Sequence, residues 1–347
     1  MRQSQQVTKE TEEAPRLPSR PRRLRLLPRG GSKELGIFVL LAVLCVALSI
    51  LSHGTFLHSD NLQNMARRIG MYGIFSIGLG LVIITGGIDL SVGSLFALLG
   101  VLMSLMLTDW HWPWPLALLA IIASGGLVGS WHGFLITRVN LQPFIVTLCG
   151  LLLYRGLANL IAHNDTRGFG SAKGFKTLQN LAISHPLGLP ISFVLLLITA
   201  VVMGIVLHRS VYGRYLYAVG RNEEAARYSG VNAKNIIAGA YIIMGLLAAV
   251  SAVLDAFDTN SVSPSGAGTY YELYGIAAAV LGGCSLRGGE GSIIGILLGT
   301  ALLQVLQNLV NLLGIDSSLN FAVMGAVILL GVITDELIKR RAANRAK

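Results

Sequence analysis

An apolar run from Met71 to Leu107 is interrupted at Thr85-Gly86-Gly87-Ile88-Asp89-Leu90-Ser91-Val92-Gly93-Ser94, and this interruption limits what the chain can become. As one helix rising about 1.5 Å per residue, the run would be roughly 55 Å long, nearly twice the ~30 Å hydrocarbon core of a bilayer. It must therefore turn back, and Gly86-Gly87 is where the backbone is free to do so. Asp89 is the only acidic or basic side chain in the run. A carboxylate at membrane depth marks a functional site by default. The blander reading is a cap: the side-chain oxygen of Asp89 or Ser91 can satisfy the first free amides of the helix that follows. The two roles are compatible.

The flanking sequence agrees with a membrane solvent. Only 13% of the 347 residues are charged and 53% are apolar, against about 25% charged in soluble domains. The chain reads as an all-α polytopic membrane protein. Its 41 glycines suit close helix packing in lipid. The net charge of +10 sits in segments expected to face the cytoplasm rather than on an aromatic-basic platform, so nucleic acid is not a partner. Cys45, Cys149 and Cys284 lie in or beside apolar spans without metal-ligand spacing and read as packing residues.

Residues 1–33, rich in Arg and Pro, read as a disordered basic cytoplasmic tail that can touch anionic lipid. The apolar stretch Leu35 to Leu51 is too long for a signal-peptide core and is the first span. Asp60 to Ile69 is amphipathic and reads as a short interfacial piece. The two arms of the central run are spans two and three. Spans four to ten are Leu116–Thr137, Phe144–Ala162, Ile191–Leu207, Ile236–Ala256, Tyr271–Leu281, Ser292–Leu313 and Leu319–Ile333, with a polar loop over 163–187. Gly125, Gly129 and Gly133, and again Gly291, Gly295 and Gly299, recur every fourth residue as close-packing faces. The membrane domain is thus 34–336, followed by a basic cytoplasmic tail at 337–347.

About ten spans put both termini on one side. With both in the cytoplasm, most of the 27 Lys and Arg fall inside, as the positive-inside rule requires. Arg67 and Arg68 stand against it unless they lie on a piece that dips among the helices. A second glycine-rich turn, with Gly282, Gly283, Gly288, Gly289 and Gly291, echoes the first. Broken, Gly-interrupted central helices in corresponding halves are how a transport pathway reads in sequence.

Between spans six and seven, residues 208–235 hold a two-turn helix. Asn222 caps it, Glu223 and Glu224 occupy its positive end, Ala225 and Ala226 give it a low face, Arg227 lies in its last turn, and Gly230 fits the left-handed position beyond its end. Such a helix suits docking into a groove on a soluble partner; an ordinary capped loop helix is the alternative. No G-x-x-x-x-G-K-[ST] occurs, so the chain has no Walker A loop of its own. Nor does the sequence offer a catalytic triad, a metal cluster or a chain of intramembrane carboxylates for proton coupling. His132 reads as a residue making a single hydrogen bond.

Three blocks carry a resemblance. Ile84 through Ser94 is similar to the signature of permease subunits of bacterial ABC sugar importers of the ribose/xylose/arabinose/galactoside group. Tyr217 through Asn232 is similar to that family's cytoplasmic loop, and Glu224-Ala225-Ala226-x-x-x-Gly230 matches the coupling motif of ABC importers. Tyr271-Glu272-Leu273 through Gly283, with Gly288-Gly289-Glu290-Gly291, resembles a third block. The N-terminal tail is longer and more Arg-rich than the pattern, and Gly87 replaces a non-glycine residue of several members. The resemblance spans about Leu35 to Ile333. It implies a ten-helix permease in the bacterial cytoplasmic (inner) membrane, paired with a second permease copy or paralogue. The partners implied are an ABC ATPase that holds ATP-Mg, no cofactor being bound by this chain, and a periplasmic or lipid-anchored sugar-binding protein. It implies import of a ribose-like monosaccharide, although autoinducer-2 importers share these blocks. Gly86, Gly87, Asp89, Ser91, Gly93 and Ser94 would shape the pathway, and Glu223 to Gly230 would carry force from the ATPase. An ATPase-independent secondary transporter or channel for a small polar solute is the alternative, with a membrane scaffold as a third reading.

Overall fold

The computed structural model describes residues 31–316 apart from 171 and 173, with scattered positions between 319 and 333. The helices are α1 (Gly31–Leu51), α2 (Ser59–Ile84), α3 (Val92–Thr108), α4 (Trp114–Thr137), α5 (Pro143–Ala162), α6 (Phe175–Ala182), α7 (Ile191–His208), α8 (Val211–Arg221), α9 (Glu223–Tyr228), α10 (Ala233–Thr259), α11 (Tyr271–Leu281) and α12 (Ile293–Leu312). A two-residue antiparallel pairing joins β1 (Arg167–Gly168) to β2 (Ser261–Val262). Among the described residues, seven helices, α1, α2, α4, α5, α7, α10 and α12, are long and apolar enough to cross a membrane, and α3 and α11 are shorter apolar helices. These nine helices coincide in position with the first nine expected spans, seven of them with the length and apolarity of a span. The tenth, 319–333, falls largely outside the described residues, as do the tails, except that Gly31–Lys33 open α1.

α2 and α3 form the centre. Every residue of α2 from Gly70 to Ile84 is buried, the pattern of a helix apolar all round and enclosed by others. An aromatic cluster fastens α2 and α3 to α11: Phe75 stacks on Tyr271 at 5.9 Å and meets Phe96 edge-on at 5.3 Å. Such pairs each contribute about 0.5–1.5 kcal/mol beyond the area they bury. α1 lies outermost, packs on α12, and leaves Val43, Val46 and Ile50 exposed.

The glycine faces pack as their spacing predicts. A methyl group at Gly129 would sit 2.8 Å from Ile242 Cα, and one at Gly133 2.9 Å from Ala238 Cα, so α4 lies directly on the backbone of α10. Gly295 and Gly299 of α12 meet the carbonyls of Gly282 and Ala278 in the same manner. With no hydrophobic drive between helices in lipid, this close approach supplies the packing energy.

Three local expectations are corrected. Asp60–Ile69 is no separate interfacial piece but the first turns of α2, and Arg67 Nη1 pairs with Asp258 Oδ1 at 2.9 Å. That pairing gives Arg67 a counter-charge that lies far away in sequence. The 163–187 loop contains α6 and one strand of the short pairing. The 208–235 segment contains α8 as well as the expected short helix.

Candidate functional site

α2 ends where the glycines permit. Gly86 adopts φ +84°, a left-handed conformation that favours glycine, and the Gly87 amide donates back to Val82 O at 3.1 Å. The chain then leaves the helix and reaches Asp89, which is buried. Its Oδ1 accepts the Ser91 amide at 2.8 Å and the Ser91 hydroxyl at 2.6 Å. Ser91 is the N-cap residue of α3, yet its hydroxyl serves Asp89 and makes no cap bond. The expected cap is therefore replaced by a carboxylate-stabilised turn in front of the helix. The Ser94 hydroxyl donates to Ser91 O at 2.7 Å, and a side chain at Gly93 would strike Gly268 and the buried Glu272.

The other oxygen of Asp89 faces His132 of α4. Oδ2 lies 3.8 Å from His132 Nδ1, and His132 Nε2 shares a 2.8 Å hydrogen bond with the Tyr154 hydroxyl on α5. Gly150 leaves room for this group, since a methyl there would be 3.0 Å from His132 Nε2. Thr147 of α5 donates to Ile88 O at 3.2 Å. His132 makes the single hydrogen bond the sequence suggests, to Tyr154, and its other ring nitrogen faces Asp89, so it stands between the signature turn and α5. The only sequence sign of this was a lone buried histidine on a glycine-rich helix.

The second glycine turn lies against the first. The Gly289 amide donates to Ile84 O at 2.8 Å, filling a carbonyl left open at the end of α2. A methyl on Gly288 would sit 3.0 Å from the Gly86 nitrogen. Gly282 and Gly283 close α11, with the Gly282 amide donating to Ala278 O at 2.8 Å, and Gly291 leads to α12. α8 is seated on both turns. Its Tyr217 hydroxyl donates to Gly291 O at 2.7 Å, and Gly220 lies so near Ile84 O that no side chain fits.

α9 follows α8 after one extended residue, Asn222, whose side chain caps it by accepting the Ala225 amide at 2.9 Å. Glu223 and Glu224 occupy the first turn, Arg227 lies in the last, and Gly230 takes φ +84° beyond the end, as the sequence predicts. Ala226 is buried against Val219 and Ala233, whereas Glu224, Ala225 and Arg227 are exposed. Tyr228, which sequence reasoning passed over, is 91% exposed. A cavity of about 360 Å³ opens between α9 and the first turn, lined by Glu223 and Arg227 on one side and by Thr85, Gly86, Gly87 and Tyr241 on the other. The glycine turns, α8 and α9 therefore form one connected unit. The start of α1 joins the same end, because the Ser292 hydroxyl at the head of α12 donates to Glu34.

Known proteins resemble the chain over nearly its whole length. The ribose import permease protein RbsC of Bacillus subtilis is 37% identical over 307 residues, covering 88% of this chain and 94% of that protein. RbsC of Escherichia coli is 37% identical over 297 residues, covering 86% and 92%. The xylose transport system permease protein XylH of Escherichia coli is 29% identical over 373 residues, covering 90% and 94%. No solved structure matches. Residues 61–332 match the family described as branched-chain amino acid transport system / permease component, and the chain belongs to that permease family.

Proposed function

We propose that this chain is the membrane-spanning subunit of an ATP-binding cassette importer for a ribose- or xylose-like monosaccharide. The observation that carries the reading is the seating of α9: a capped helix whose outer face is bare, continuous with α8, which rests on both glycine turns through Gly220 and Tyr217. The ribose and xylose permeases it resembles support a sugar rather than an amino acid as cargo. ATP is bound and hydrolysed by a separate ATPase that docks on α9. A binding protein delivers the sugar to the opposite face, and a second permease copy or paralogue completes the pathway. The chain has ten spans in the bacterial inner membrane with both termini in the cytoplasm. The contact of Glu34 with Ser292 supports this orientation, since it puts the start of α1 at the α9 end.

The mechanism follows from the joints. When the ATPase pair closes, α9 is displaced, and α8 moves with it because only Asn222 separates them. α8 bears on the end of α2 and on the turn before α12, so both helices are shifted at once. Access then switches by rigid movement of packed helices about the glycine turns. Asp89, held by Ser91 and facing His132, keeps the first turn in register with α4 and α5 during that movement.

The test is purification from the native membrane in mild detergent with mass spectrometry of co-purifying chains, paired with D-ribose and D-xylose uptake. The expected result is an ATPase with Walker A loops that is lost with Gly230→Pro, and uptake that stops when cytoplasmic ATP is depleted at constant membrane potential. Uptake that survives ATP depletion, with no ATPase in the complex, overturns the reading in favour of a secondary transporter.

A further inference from the structure

The end of the bundle remote from α9 carries a second cavity, of about 390 Å³. Its α12 wall is made of Gln304, Gln307, Asn308 and Asn311. The spacing i, i+3, i+4, i+7 places them in one stripe along a helix otherwise apolar enough to span a membrane. On α2 the facing wall includes Asn61, Asn64 and Arg68, again i, i+3 and i+7. Arg68 and Thr85 are seventeen residues apart on one helix and its C-cap, which separates the two cavities by roughly 25 Å.

A carboxamide stripe on a spanning helix is unfavourable unless it faces water, a polar solute or another polar group. Part of the lining serves helix association: Asn308 Nδ2 donates to Asn61 Oδ1 at 2.7 Å, and Asn61 Nδ2 donates to Asn308 Oδ1 at 3.2 Å. That pair glues α2 to α12. It does not account for Asn64, Gln304 or Asn311, of which Gln304 is only 2% exposed. Arg67 adds a second sign. Its Nη1 is paired with Asp258, but its Nε is buried with no hydrogen-bond partner among the described residues. The cavity therefore has donor capacity that the described residues leave unused.

The chemistry of the lining selects the ligand class. Each carboxamide offers two donors and an acceptor without net charge, which matches hydroxyl groups that both donate and accept. The Arg67–Asp258 pair largely cancels its own charge, and Arg68 adds one further positive group with hydrogen-bond donors for hydroxyl oxygens. The volume falls in the range of small-molecule sites. We infer that this cavity is a sugar-binding vestibule at the delivery face, in which carboxamides of α2 and α12 hold a neutral polyol as it enters the membrane domain. The inference rests on the sugar-import reading above. Because α2 and α12 reach the glycine turns at their other ends, movement there shifts both walls.

The test uses the complete importer in proteoliposomes, with its ATPase and its binding protein loaded with D-ribose or D-xylose. Gln304→Leu and Asn311→Leu are expected to lower sugar delivered per ATP hydrolysed at least tenfold, with the ATPase and the binding protein still assembling on the complex in wild-type ratio. Unchanged delivery in both variants overturns the vestibule. If the wild-type complex moves neither sugar, the sugar-import reading fails, and the cavity is decided by a separate measurement. For this, Asn311→Cys is made in a chain whose three native cysteines are replaced by serine. Reaction with a membrane-impermeant maleimide in intact cells supports an entry open to the delivery face. Labelling only after permeabilisation, or none, overturns it.

Discussion

Gly220→Ala tests the central joint. A methyl group added there would lie 2.7 Å from the Gly289 nitrogen and 2.9 Å from the Ile84 carbonyl carbon, and closer still to Ile84 O. Ordinary contacts of carbon with such atoms begin near 3.4 Å, so clearing Ile84 O requires α8 to withdraw from the turns by more than about 1 Å. All the obstructing atoms are backbone, so no rotamer change relieves the clash. Overpacking of this kind costs about 1–3 kcal/mol. Loss of the 2.8 Å bond from Gly289 N to Ile84 O adds about 1 kcal/mol. Together these shift the seated-to-unseated equilibrium of α8 by about 2–4 kcal/mol, a factor of roughly 30 to 900. α9 and its Asn222 cap are untouched, so the ATPase still binds. The expected outcome in proteoliposomes is ATP hydrolysis near wild type with at least a tenfold loss of sugar moved per ATP. Gly204→Ala on α7 is the control, because no atom lies within 4 Å of the added methyl. It is expected to leave transport unchanged and to favour the helix by about 0.5–1 kcal/mol. Wild-type transport per ATP in Gly220→Ala would refute the assignment of α8 as the link between ATPase and pathway.

Asp89→Leu strips the acceptor from the Ser91 amide and hydroxyl, two buried donors whose loss costs about 1–3 kcal/mol each; lower melting temperature in detergent and lost uptake are expected, and wild-type behaviour in both would make the carboxylate dispensable. Gly230→Pro cannot adopt φ +84° and removes the amide that donates to Arg227 O, and Glu224→Ala removes a carboxylate from the positive end of α9; both are expected to leave the membrane domain folded but uncoupled, and normal transport by both would remove α9 as the docking element. Tyr228→Ala deletes a fully presented aromatic side chain; a loss of about 2 kcal/mol at such an anchor weakens ATPase association about 30-fold by surface plasmon resonance, with detergent melting unchanged, and equal affinity would show that the ring faces only water.

Helix positions were legible because apolar length is a one-dimensional signal. α11 has the expected bounds, and α5 and α12 begin one residue from theirs. The α9 cap and the left-handed Gly230 were legible for the same reason, being local chemistry within a few residues. What sequence alone missed depends on contacts between distant segments. The amphipathic start of α2 reads as interfacial until Asp258 is placed beside Arg67. Asp89 reads as a cap until Ser91 is seen to turn its hydroxyl toward it, and the partner of His132's expected hydrogen bond is unknown until the Gly150 gap brings it to Tyr154. The echo between the glycine turns was visible as a pattern, but not the direct bond from Gly289 to Ile84 that gives it meaning.

That bond fixes how the two ends of the molecule can communicate. α2 and α12 run antiparallel: Ile84 and Gly291 meet α8 at one end, and Asn61 and Asn308 pair at the other. Neither helix contains a proline, so a displacement at the glycine turns is carried along each as along a rod. On the proposed reading, a partner pulling on α9 through α8 acts on two opposed walls of the remote cavity, because α8 meets the end of α2 at Gly220 and the turn before α12 at Tyr217. The absence of a side chain at Gly220 and Gly288 lets the contact at the end of α2 be backbone against backbone. Movement there is passed on directly rather than absorbed by side-chain rotation, so on the proposed importer reading the joint between α8 and the turns, more than the exposed face of α9, is expected to set how tightly ATP hydrolysis is tied to sugar movement, which Gly220→Ala tests.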